Sequence, residues 1–258
     1  MYLRSMISVS VIGSGNVASH LISAFLNSTS CKLIEVYSRN IDNITHLEGA
    51  VSITNDLKAL KPVDVIVIAV SDNAIKDLTQ NISLTNTLIV HTSGSVSMKV
   101  LKPHKNIGVF YPLQSFNKDK KLNIKKVPFC LETNLETSLV LLEKLGSAIS
   151  NQIYFIDSEQ RKKIHLAAVF ANNFTNHMLY HANEICETHN IPFDILKPLI
   201  RETIKKIKTG MPLESQTGPA KRGDIETIKN QQKQLIDSQL EIYDTITKSI
   251  LNTYKING

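Results

Sequence analysis

Two glycines one residue apart, Gly13 and Gly15, with Ala18 after them in VSVIGSGNVASHLISAF, have types and spacing that could cradle a phosphate group. The run before them is β-rich and the run after them is helix-compatible. In that context Gly13 permits a tight turn, Gly15 lets the backbone approach a pyrophosphate, and Ala18 packs the helix on its sheet while the helix start offers amide donors. Ser14, Asn16 and Val17 complete the turn and are candidates with the glycines. A purely structural strand-to-helix turn would use the same residues. The next strand ends at Ser38, Arg39 and Asn40, and Glu35 lies mid-strand. An acid at the strand end is the usual partner of an unphosphorylated ribose, whereas arginine with hydroxyl and amide neighbours can fork onto a 2′-phosphate. NADP is favoured, and NAD stays open.

Ligands of doubly wound sheets sit beyond the carboxyl ends of the strands, so Val70, Ser71, His91, Thr92 and Ser93, in AVSDNAI and HTSGS, are further cofactor-binding candidates. His91 has a packing or capping role as its alternative. Tyr111 and Gln114 in GVFYPLQSF follow another strand and are substrate-binding candidates, Tyr111 with a phenol that could donate a proton. Further on, taking about 100° per helical residue from His165 places Asn172 near −20° and Asn176 near +20°, roughly one polar stripe among apolar neighbours. Such a stripe either lines a cavity or is satisfied in a core, and His165 is the candidate acid. His177 and His181 have the i, i+4 spacing of a metal pair but lack a third ligand, so no metal is expected. Thr217, Gly218 and Arg222 in QTGPAKRGD are candidates for an anionic substrate or parts of a tight interhelical turn. Asp224 reads as an N-cap.

These residues need positioning elements. ISVSVIG, KLIEVYS, VDVIVIAVS and NTLIVHTS read as strands of a parallel sheet covered on both faces, with NIGVFYP, VPFCLE and QIYFID extending it. NLETSLVLLEKLG reads as a helix with Gly146 as its C-cap. Beyond Asp157 no β-rich run recurs. A helix capped by Ser158 runs some thirty residues, a second is bent at Pro198, and a third covers 224–254. The expected architecture is an α/β Rossmann domain, mostly parallel and doubly wound, over 1–157, followed by an all-α domain over 158–258.

The 258 residues are 42% hydrophobic and 20% charged, an ordinary globular composition. No apolar run approaches the length of a membrane span. The start, MYLRSMISVSVIGSG, reads as a first strand and not as a leader, which points to the cytoplasm. The net charge of +6 is spread over NKDKKLNIKK, RKK from Arg161, KKIK and AKRGD, without aromatic partners, so these are read as solvated faces and no nucleic-acid partner is expected. Cys31, Cys130 and Cys186 are too scattered for a disulfide framework and read as reduced, buried thiols.

In order and spacing, VIGSGNVASHL, VSDNAI, HTSGS, YPLQSF, HLAAVFANNFTNHM and TGPAKRGD resemble two-domain oxidoreductases with a Rossmann-like domain and an uncharacterised helical C-terminal domain. More distantly the chain resembles pyrroline-5-carboxylate reductase, prephenate dehydrogenase and the 6-phosphogluconate dehydrogenase superfamily, whose helical domains dimerise and complete the active site. Two features depart from the pattern: Tyr111 stands where many members have histidine, and the superfamily's lysine with an asparagine one helical turn later is not reproduced, because Lys162 and Lys163 are followed one turn on by Leu166 and Ala167. The resemblance implies NADP-dependent hydride transfer to or from a small carbonyl or imine substrate, in a homodimer joined through the C-terminal helices. Its rival is a non-catalytic dinucleotide sensor.

Overall fold

The computed structural model describes residues 6–255. Arg4, the basic residue of the leader question, lies outside them. The chain divides into two compact units, Met1–Asn172 and Asn173–Gly258.

The first unit is built on eight strands: β1 (Ile7–Ile12), β2 (Cys31–Tyr37), β3 (Ser52–Thr54), β4 (Val65–Ile68), β5 (Leu88–His91), β6 (Ile107–Pro112), β7 (Pro128–Thr133) and β8 (Gln152–Phe155). Their order is β3-β2-β1-β4-β5-β6-β7-β8, parallel except between β6 and β7. The chain leaves β1 toward β2 and β3, then returns to β4 on the other side of β1, which opens the crevice in which doubly wound sheets bind ligands. Ile12 pairs with both Tyr37 and Ile68, and Ile68 with His91, so four carboxyl ends stand level along one edge.

Burial explains why these runs lack polar alternation. Val65 and Val67 join one core with Val9, Val11 and the apolar side of helix α1 (Asn16–Leu26), namely Ala18, Leu21 and Phe25. Ile66 and Ile68 join the opposite core with Ile12, Ile89 and Leu101. β1 and β4 thus feed two apolar layers, as a doubly covered parallel sheet requires. The crossovers from β2 to β5 use short 3₁₀ turns and the five-residue helix α2 (Ile75–Thr79). Helix α3 (Glu136–Ile149) runs past Gly146, contrary to the expected cap. A Cβ there would come within 2.8 Å of Ile153 Cδ1, so the missing side chain serves close packing of the helix on the sheet.

Helix α4 (Ser158–Ala168) is capped by Asp157 and not by Ser158, in a capping box with Gln160. Residues Val169–Phe174 are π-helical, and α5 (Thr175–Thr188) follows. The second unit continues through α6 (Lys197–Thr209), α7 (Pro212–Ser215), α8 (Pro219–Arg222), α9 (Ile225–Gln232) and α10 (Asp237–Thr253). Pro198 does not bend a helix; it lies in the first turn of α6, where its missing amide costs nothing. The expected third helix is two, α9 and α10, and the N-cap Asp224 accepts from Thr227 N at 3.1 Å.

Candidate functional site

The turn from β1 into α1 forms the floor of a cleft of about 680 Å³, within the size range of small-molecule sites. Gly13 has φ of +133°, and a Cβ on it would lie 2.2 Å from the Ala69 carbonyl oxygen, so only glycine fits between β1 and β4. The ladder holds this turn from both sides: Gly13 N donates to Tyr37 O and Ala69 N donates to Ile12 O, each at 2.8 Å. Gly15 differs. A Cβ there would meet no protein atom within 4 Å, and the open space sits at the start of α1, which has no side-chain cap and no acidic residue in its first turn. Unpartnered amides facing open space suit an anionic ligand.

Of the residues singled out above, Gly13, Ser14, Gly15, Asn16, Val17, Ser38, Arg39, Asn40, Val70, Ser71 and Thr92 line this cleft together. Its far wall rests on α2, through Asp77 and Leu78. Ser14 and Ser38 are joined side chain to side chain at 3.1 Å. Asn16 Oδ1 accepts from Lys118 N at 3.1 Å and ties a later loop to the start of α1. Arg39 is exposed on the cleft and has no ion pair or hydrogen bond among the described residues. Glu35 is withdrawn: it is buried, accepts from Lys61 N at 3.1 Å and Ser52 Oγ at 3.3 Å, and lies 3.8 Å from Lys61 Nζ.

His91 and Ser93 do not line the cleft, which corrects the expectation that all the strand-end residues face it. Alternation along the extended chain sends Thr92 toward the cleft and its neighbours inward. His91 is wholly buried and its Nδ1 accepts from Ser93 N at 3.2 Å. Burial, helped by the positive charge of Arg161, pushes its pKa down to about 4, so the ring is neutral. Ser93 Oγ accepts from Val96 N at 3.0 Å and fixes the turn. Tyr111 is buried at the end of β6 with its phenol 3.0 Å from His165 Nδ1. Gln114 is exposed and accepts from Ser115 N at 2.8 Å.

A family model described as "NADP oxidoreductase coenzyme F420-dependent" matches residues 8–94, and one described as "Domain of unknown function (DUF2520)" matches 127–250. The structure of a "putative NADP oxidoreductase" from Bacteroides fragilis is 36% identical, with 95% of this chain and 98% of that chain covered and a TM-score of 0.86. The chain belongs to this NADP oxidoreductase family. A Thermotoga maritima protein is similar at 25% identity over 96% of this chain and 98% of its own, with a TM-score of 0.73. A Plasmodium falciparum pyrroline carboxylate reductase, solved with NADP bound, shares the fold alone, at 13% identity, coverage of 96% and 94%, and a TM-score of 0.61. No curated protein matches the chain.

In this member of the family the expected stripe of His165, Asn172 and Asn176 loses its premise. Residues 169–174 are π-helical, each advances the helix by less than an α-helical residue, and the common phase is lost. Asn172 and Asn176 are exposed, without side-chain hydrogen bonds among the described residues. In the second unit Thr217 is exposed, Gly218 has φ of +105°, and Arg222 lies 3.9 Å from Asp224. His177 and His181 meet each other at 3.1 Å. Among the described residues no group of three or more His, Cys, Asp or Glu could hold a metal ion, and no helix is long and apolar enough to cross a membrane.

Arg161 is the residue that sequence reasoning missed. Assigned to a solvated basic run, it is fully buried, ion-paired with Glu132, and donates to Val96 O at 2.7 Å. Its partner lies 29 positions away on β7, beyond any local signal.

Proposed function

We propose that the chain is an NADP-linked reductase or dehydrogenase acting on a small carbonyl or imine compound, with the dinucleotide held in the cleft of the first unit. Bound NADPH would supply the hydride. The amides around Gly15 and Asn16 take the pyrophosphate, Ser38, Arg39 and Asn40 take the 2′-phosphate, and Val70, Ser71 and Thr92 flank the path toward the nicotinamide. His165 offers its ring to the reacting heteroatom of the substrate. Gln114, Thr217, Gly218 and Arg222 remain the residues for the rest of the substrate, with Asn172 and Asn176 as less favoured additions.

One observation carries the choice of NADP: Arg39 stands free on the cleft while Glu35, the acid that would serve NAD, is buried against Lys61 and Ser52. We assign 1–157 to the cofactor and 158–258 to substrate and dimerisation, the latter because so much apolar surface of the helices is uncovered. A second copy of the chain is the proposed cover, and the cytoplasm the proposed location. The test is a fluorescence titration of the full chain with NADPH and NADH, followed by NADPH oxidation in the presence of cyclic imines and small ketones. Tighter NADPH binding with turnover supports the reading; equal affinities overturn the cofactor assignment, and tight binding without turnover overturns the reductase.

A further inference from the structure

Tyr111 and His165 are linked more firmly than an incidental contact demands. The Tyr111 hydroxyl lies 3.0 Å from His165 Nδ1, and the rings meet edge to face with centroids 6.0 Å apart. The backbone of Gly94 is wedged against both: a Cβ there would come 2.6 Å from His165 Nδ1 and 2.7 Å from Tyr111 Cζ. Any side chain at this position would push the pair apart. Gly94 lies two residues past Thr92, which lines the cleft, so the chain between them spans at most about 7 Å.

We infer that Tyr111 is a positioning residue that holds His165 in the tautomer with its proton on Nε2, so that this histidine meets its ligand as a hydrogen-bond donor. The phenol must be the donor in the pair. Burial pushes the Tyr111 pKa up to about 12, which keeps the phenol protonated. Among the described residues its hydroxyl has no hydrogen-bond partner other than His165, so that proton goes to Nδ1. A nitrogen that accepts cannot carry a proton, and a neutral imidazole then carries it on Nε2. The half-buried ring keeps Nε2 without a partner among the described residues, and that atom is not sealed in the interior. The charged and titratable groups around the pair, Arg161, Asp72 and Cys130, come from α4, the turn after β4 and β7.

The chemical complement of such a histidine is an acceptor: a carbonyl or carboxylate oxygen, or an unprotonated imine nitrogen. A protonated amine would set donor against donor. This conclusion rests on the proposed reductase only in identifying what the donor meets.

The experiment is nitrogen-15 NMR of the histidine rings in the full chain at about pH 9, where imidazole is neutral, with His165→Gln to assign the signals. The expected wild-type spectrum places the His165 proton on Nε2; a proton on Nδ1 overturns the inference whether or not Tyr111→Phe folds. In Tyr111→Phe the single tautomer is expected to give way to an exchanging mixture, and an unchanged spectrum from a folded variant overturns the role of Tyr111. Acetate, an acceptor, should shift the Nε2 signal and methylammonium should not; the reverse response overturns the donor polarity. Because these readouts need no turnover, their failure is distinguishable from a failure to oxidise NADPH.

Discussion

The two units differ in how they satisfy their own apolar surface. In the first, every residue of β4 and β5 is buried, and two cores close on opposite faces of the sheet. In the second, Cys186, Ala220 and Ile228 are the buried hydrophobic residues among those described, while Ile195, Leu199 and Met211 are each 65% exposed and Ile236 71%. Single exposed apolar side chains are ordinary, but a whole helical unit of them marks an interaction surface. A cofactor site can therefore be rigid on the strength of its own unit, whereas the helical unit leaves much of its apolar surface uncovered.

The sharpest break in that contrast targets the closed unit. Arg161→Met leaves Glu132 without its buried partner and should destabilise the chain by about 3–5 kcal/mol in urea unfolding, with Glu132→Gln in the same chain recovering part of the loss. A change below about 1 kcal/mol would mean that the ion pair is not part of the closed core. Next in size is a pH effect. The unfolded chain protonates His91 near 6.5 and the folded chain only near 4, so the unfolded form binds the extra proton between these values. Stability should fall as pH drops through that window, by up to about 3 kcal/mol, and be untouched by His91 above it. Urea midpoints against pH should lose this component in His91→Asn.

On the cleft, Arg39→Ala should weaken NADPH by roughly 1–3 kcal/mol and leave NADH nearly unchanged, as read by fluorescence titration. Equal losses would remove the 2′-phosphate from its proposed partner. The smallest effect on the fold is expected in the helical unit. Ile195→Asp with Leu199→Asp should alter the stability of the separated chain by no more than about 0.5 kcal/mol. The same pair should shift light scattering from the proposed dimer to monomer at micromolar concentration; a dimer that survives would place its interface elsewhere.

The features legible in the sequence are local ones. The seven β-rich runs became strands, with β3 (Ser52–Thr54) as an eighth that was not expected, and the Gly13-x-Gly15 turn met its helix, because both depend on residues within one element and its neighbour. What escaped depends on distance or on small departures from ideal geometry. Arg161 looks like surface charge until β7 brings Glu132 beside it. Gly146 looks like a helix stop until Ile153 is packed against it. The π-helical stretch at 169–174 has no compositional mark, yet it undoes a stripe computed at a constant angle per residue. Pro198 reads as a kink because a proline inside a helix and one at its start differ only in where the preceding turn ends.

The hydrogen bonds of Gly13 and Ala69 extend the sheet one residue beyond β1 and β4. Ordering a backbone residue costs about 1–2 kcal/mol, and here folding has already met that cost at the floor of the cleft. A nucleotide arriving at that floor meets backbone that is already ordered. Hydrogen exchange of the Gly13 and Ala69 amides should therefore be slow before its arrival and almost unaltered after it, and the nucleotide should associate without a conformational lag.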